Sequence, residues 1–102
     1  MAYPYRLHEL AHEEYIEAYG WYDEKQKGLG DRFMDSVEKR LQQISGHPEY
    51  YGKKQRTNFR EVKVENFPYI IVYEFLKRKQ LIYIAAIYHS KRNPKRKNRK
   101  LK

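Results

Sequence analysis

The apolar positions change period twice along the chain. Tyr3, Tyr5 and Leu7 alternate with Pro4, Arg6 and His8, the spacing of a short strand, and the proline near its start suits an edge strand. From Glu9 the spacing becomes helical. Ala11, Tyr15, Ala18 and Tyr22 share one stripe, with Glu13, Glu14 and Glu17 on other faces, which predicts a helix to about Gln26. Gly28-Leu29-Gly30 breaks it, because glycine accepts the left-handed turn that ends a helix. A second stripe, Phe33, Val37, Leu41 and Ile44, predicts a second helix that ends near Ser45-Gly46-His47-Pro48. A short glycine-containing turn between them makes an antiparallel helix hairpin.

The period of two returns after a loop at Glu49–Thr57. Phe59–Glu65 reads as a strand, and Phe67–Phe75 and Leu81–His89 are stronger, rich in β-branched and aromatic residues. The charged turn Lys77-Arg78-Lys79-Gln80 joins the last two as an antiparallel hairpin. The order is βααβββ, an α+β fold with an antiparallel sheet covered on one face by the N-terminal helix hairpin. The aliphatic phase (Ile70, Val72, Ile82, Ile84, Ala86) is expected to meet the helices. The tyrosine-rich phase (Tyr69, Ile71, Tyr73, Phe75, Tyr83, Ile87, His89) is expected to form a second, half-wet face.

At 102 residues the chain is expected to form one domain, residues 1–92, followed by a basic and flexible tail, residues 93–102. Eleven tyrosines, four phenylalanines and one tryptophan are enough to fill a modest core. Cysteine is absent, so neither a disulfide framework nor a thiolate metal site is expected. No apolar run approaches the roughly 20 residues of a membrane span, and the N-terminus lacks a secretory signal, so the expected location is cytoplasmic.

Charge is unevenly placed. Residues 1–46 carry nine acids against six bases, residues 47–90 four against eight, and eight of the twelve residues from Lys91 to Lys102 are basic. The net charge of +9 is therefore concentrated towards the C-terminus, which points to a polyanionic partner such as nucleic acid. Lys53, Lys54, Arg56, Lys91, Lys95 and Arg96 are the candidate phosphate contacts. The tail also has a simpler reading, as an aid to solubility and nonspecific attraction.

Five segments together resemble the ParE branch of the RelE/ParE toxin superfamily: Glu17-Ala18-Tyr19-Gly20-Trp21-Tyr22, Gly28-Leu29-Gly30-Asp31-Arg32-Phe33, His47-Pro48-Glu49-Tyr50, Phe67-Pro68-Tyr69-Ile70-Ile71-Val72-Tyr73, and Ala86-Ile87-Tyr88-His89-Ser90-Lys91-Arg92-Asn93-Pro94. The resemblance covers about residues 3–94. It implies the same βααβββ order and the toxin half of a type II toxin–antitoxin pair, of the kind often labelled plasmid stabilization proteins. The implied partners are a cognate antitoxin from an adjacent gene and either DNA gyrase, for ParE-like members, or ribosome-bound mRNA, for RelE-like members. Whether the chain is an enzyme stays open. If it is one, the resemblance implies a metal-independent endoribonuclease with no cofactor. A third reading is a small RNA-binding module without toxicity.

RNA cleavage of this kind needs a proton acceptor for the ribose 2′-OH, a donor for the leaving oxygen and cations for the extra charge. By resemblance the catalytic candidates are Arg60, His89 and Arg92. Arg60 is either a phosphate-facing guanidinium or a strand-end arginine paired with an acid such as Glu61. His89 is either an acid–base group or a structural histidine at a strand end. His8, His12 and His47 form no zinc spacing. RelE-like members carry an acid–base tyrosine about six residues past the arginine that Arg92 matches, whereas this chain has Asn98 there, a departure that favours the gyrase-directed reading. Tyr19 and Trp21 lie off the first helix's core stripe and are the candidate antitoxin contacts.

Overall fold

The computed structural model describes residues 2–91. The elements are β1 (Tyr5–Leu7), α1 (Glu9–Lys25), α2 (Leu29–Gly46), β2 (Phe59–Lys63), β3 (Tyr69–Leu76), a 3₁₀ turn (Lys77–Lys79) and β4 (Leu81–His89). They follow the expected order. β3 starts two residues later than the period suggests, because Pro68 has no N–H to give a ladder. Among the described residues, no helix is long and apolar enough to cross a membrane.

Local chemistry sets the helix ends. The His8 imidazole caps α1, its Nδ1 accepting from the Leu10 N–H at 3.0 Å. Gly28 sits at φ 89° before α2, a conformation that costs other residues steric strain. Asp23 reaches across from α1 and accepts from both the Gly28 N–H (3.0 Å) and the Gly30 N–H (3.3 Å), placing a carboxylate where the α2 dipole is positive. The two helices approach so closely here that a Cβ on Gly30 would lie 2.7 Å from the Tyr19 carbonyl oxygen.

The strand order is β1-β4-β3-β2. β2, β3 and β4 form an antiparallel meander, but β1 lies parallel to β4, with Tyr5 opposite Ile82 and Leu7 opposite Ile84. The sheet is therefore mixed, where the sequence suggested an antiparallel one. Parallel neighbours need a long crossover, and the helix hairpin is part of the chain that connects β1 to the meander.

The facing of the strands also differs from the expectation. On β3 the tyrosine-bearing phase meets the helices: Tyr69, Ile71 and Tyr73 are buried in one core with Phe33, Val37, Leu41 and Ile44. Ile70 and Val72 point to the opposite side, in a second cluster with Ala85, Ala86 and Tyr88. The pairing explains this. Tyr73 lies opposite Ile84 and Phe75 opposite Ile82, so the tyrosine phase of β3 shares a face with the aliphatic phase of β4. A bulge at Ala85 then shifts the register, so that Val72 lies opposite Ala86 and Ile71 opposite Ile87. Ile82, Ile84 and Ile87 thereby all reach the helix-side core despite their uneven spacing.

Two polar groups make this packing possible. The Tyr73 hydroxyl, at the end of a fully buried side chain, donates to the Pro48 carbonyl at 2.8 Å. Glu14 of α1, only 5% exposed, accepts from the Ile87 N–H at 3.1 Å, past the point where pairing with β1 ends at Ile84. Glu14→Ala is expected to destabilise the fold by about 1–3 kcal/mol, because a buried N–H loses its acceptor, and Glu14→Gln by less; urea unfolding checks both. Gly30→Ala should cost about 1–3 kcal/mol through the clash with the Tyr19 carbonyl, seen as a lower thermal midpoint.

Candidate functional site

Arg60 stands on β2 directly opposite Tyr73, so the two side chains share the helix-facing side of the sheet. Its Nη1 donates to the Tyr51 carbonyl at 2.5 Å and to the Glu49 carbonyl at 3.3 Å. Together with the Tyr73 bond to Pro48, this clamps residues 48–51 onto the sheet. Arg60 pairs with backbone oxygens rather than with Glu61. The Glu61 carboxylate instead meets Lys54 Nζ at 3.2 Å on the opposite side of β2, where the Tyr88 hydroxyl also reaches it at 3.5 Å.

The candidate residues are thus divided. Lys53 joins Arg60 through an isolated antiparallel bridge, and the Lys54 N–H donates to the Phe59 carbonyl, so the loop lines the β2 edge. Arg56 is exposed in the same loop at φ 64°. His89 ends β4 on the helix side, its ring 5.2 Å from Tyr69 and its Nδ1 accepting from the Lys91 N–H at 3.0 Å. Lys91 is exposed. Arg92, Lys95 and Arg96 lie outside the described residues. Among the described residues, no group of three His, Asp or Glu side chains is placed to hold a metal ion.

On the helix hairpin, Tyr19 lines a groove of about 330 Å³ with Leu7, His12, Tyr15, Ile16 and Met34. Ile16 is 58% exposed and Met34 38%, so apolar surface is presented to solvent here. The Tyr19 hydroxyl donates to Asp31 at 2.6 Å, which fixes its ring on one rim and raises its pKa. Beneath it, Glu38 accepts from Tyr15 at 3.0 Å and Tyr5 at 3.5 Å. Trp21 is elsewhere, packed on Tyr22 with the Lys25 ammonium 5.0 Å from its ring centre. Sequence reasoning missed Ile16 and Met34. The available signal was Ile16 itself, an apolar residue off the core stripe and one helical turn from Tyr19.

Three tyrosines, two buried and one half-buried, resist ionisation. Burial pushes Tyr73 up to about 12 against the opposing pull of Arg60. Burial, then the Glu61 charge, pushes Tyr88 up to about 12, with Lys54 opposing. Burial and Glu38 raise Tyr15 as well. Because the folded state holds these phenols neutral, their contribution to stability is complete below about pH 10 and declines as pH rises towards 12. Phenolate absorbance followed through that range should show exposed tyrosines ionising first and the rest only with unfolding.

The fold matches known structures at low sequence identity. A mutant of the E. coli toxin RelE in the free state aligns at TM-score 0.68 and 18% identity, over 89% of this chain and 86% of that one. The chromosomal ParDE system from P. aeruginosa aligns at TM-score 0.73 and 11% identity, over 86% and 96%. The intact E. coli RelBE toxin–antitoxin complex aligns at TM-score 0.69 and 17% identity, over 89% and 100%. No curated protein matches the sequence. The family model for the ParE toxin of the type II toxin–antitoxin system parDE matches residues 5–94. With that match spanning β1 to just beyond β4, the chain belongs to the ParE toxin family of type II toxin–antitoxin systems.

Proposed function

We propose that this toxin arrests growth by acting on DNA gyrase, and that a cognate antitoxin from an adjacent gene neutralises it over the helix hairpin. The observation that carries the gyrase reading is the engagement of the candidate acid–base groups. Arg60 is held by two carbonyls, Lys54 by Glu61, and the His89 Nδ1 lone pair by the Lys91 N–H. An RNA-cleaving site needs a group poised to take a proton from the attacking hydroxyl. Groups committed to holding a loop, a neighbouring side chain and a strand end suit a binding surface better. Asn98, standing where RelE-like members carry the acid–base tyrosine, supports the same reading. Arg60 then acts as a positioning residue for the 48–51 segment, and Arg92, Lys95 and Arg96 as cations for the gyrase–DNA complex.

For the antitoxin, the groove beside Tyr19 offers exposed Ile16 and Met34 as apolar anchors. An amphipathic segment laid along α1 would bury them.

Incubation of the purified toxin with gyrase, ATP and plasmid DNA tests the target: accumulation of linear, gyrase-linked DNA is expected. Undamaged DNA together with ribosome-dependent cleavage of mRNA would replace gyrase with the message. Ile16→Asp should leave growth arrest intact but weaken antitoxin binding by about 2 kcal/mol, roughly thirtyfold, measured by titration calorimetry.

A further inference from the structure

A second groove, of about 440 Å³, runs between the loop before β2 and the β3–β4 turn. Lys53 and Arg60 stand on one wall, and Lys77, Arg78 and Lys79 on the other. We infer that this groove is a phosphodiester-binding site, in which the β3–β4 turn grips the backbone of a nucleic acid.

The turn is not built this way for its own sake. Its geometry requires a left-handed residue, supplied by Gln80 at φ 50°, and polar exposure. Neither requirement calls for three consecutive cations, which repel one another and repel Lys53 and Arg60 across the groove. Two acids, Glu49 and Glu74, line the same space, leaving an excess of three positive charges. Glu49 is already spent on Lys77, at 3.5 Å, in an exposed pair of small energetic value. Among the described residues, no ion pair engages Lys53, Arg78 or Lys79. Arg60 is held rigid by its two carbonyl partners, so its charge faces the groove without loss of side-chain freedom on binding.

A polyanion removes this repulsion at both walls and releases its own counterions. A nucleic-acid strand supplies charge along the groove and bases that can meet its apolar lining residues, Phe75 and Leu76. The inference concerns phosphate alone and stands whether gyrase or a ribosome-bound message is the target.

The test uses the full chain, with the basic tail in place, and a labelled mixed-sequence duplex DNA or single-stranded RNA titrated over a range of NaCl concentrations. Arg78→Gln combined with Lys79→Gln should make the log–log salt slope shallower by about 1.8 on duplex and about 1.4 on single strands, two contacts' worth. Glu49→Gln, which frees Lys77 and keeps the backbone carbonyl that Arg60 uses, should tighten binding at low salt. A variant with Lys95, Arg96 and Lys97 changed to Gln should lose slope independently, and the two losses should add. Loss on DNA alone or RNA alone names the strand recognised and upholds the site. The inference falls if the turn variant, folded by circular dichroism, keeps the parent's slope. It also falls if polyglutamate of matched charge displaces the nucleic acid from the tail variant as well as unlabelled nucleic acid does.

Discussion

The Glu14 carboxylate on the Ile87 N–H is the contact around which the two layers are organised. β1 pairs with β4 only from Ile82 to Ile84, so beyond that point the next buried N–H needs another acceptor. The first helix provides it from a position that is otherwise part of its apolar stripe, between Ala11 and Ala18. Burying a carboxylate is unfavourable unless it is hydrogen-bonded, and burying an N–H is too. Glu14 Oε1 gives the buried N–H its acceptor, and the bond locks α1 at one height against β4 just past the Ala85 bulge. The bulge in turn decides that Ile87 joins Ile82 and Ile84 in the helix-side core, and that Ala85, Ala86 and Tyr88 close the opposite side of the sheet.

A second polar device sits at the other end of the sheet. Tyr73 and Arg60, neighbours across β3 and β2, hold the carbonyls of Pro48, Glu49 and Tyr51. The loop is pinned so that Lys53 lines the groove beside the β3–β4 turn, while Lys54 pairs with Glu61 on the other side of β2. The same guanidinium therefore supports the loop and contributes charge to the groove. This explains how a toxin of this size keeps a shaped basic surface with so few residues to spare for core.

The resulting molecule has two chemically distinct sides. The acidic helical half carries the apolar groove of Leu7, Ile16, Tyr19 and Met34, suited to a protein segment. The basic half carries the cation-walled groove, suited to phosphate. On the proposed reading, an antitoxin segment would occupy the first and a nucleic-acid strand the second.

Much of the fold was legible in the sequence. The stripe Phe33, Val37, Leu41, Ile44 and the strands around Ile71 and Ile84 came out as read, because helical and strand periods are properties of adjacent residues along the chain. The family segments were legible for the same reason. The candidate site was less so. Tyr19 lies at the apolar groove, whereas the carbonyl partners of Arg60 come from a loop whose path no local pattern records. The direction of β1, the face taken by Tyr69 and Tyr73, and the union of Lys53 with the Lys77–Lys79 turn were decided only by tertiary structure. Period alone says that alternate residues share a face; it cannot say which face meets the helices, since that depends on cross-strand register, and one bulge at Ala85 is enough to reverse it.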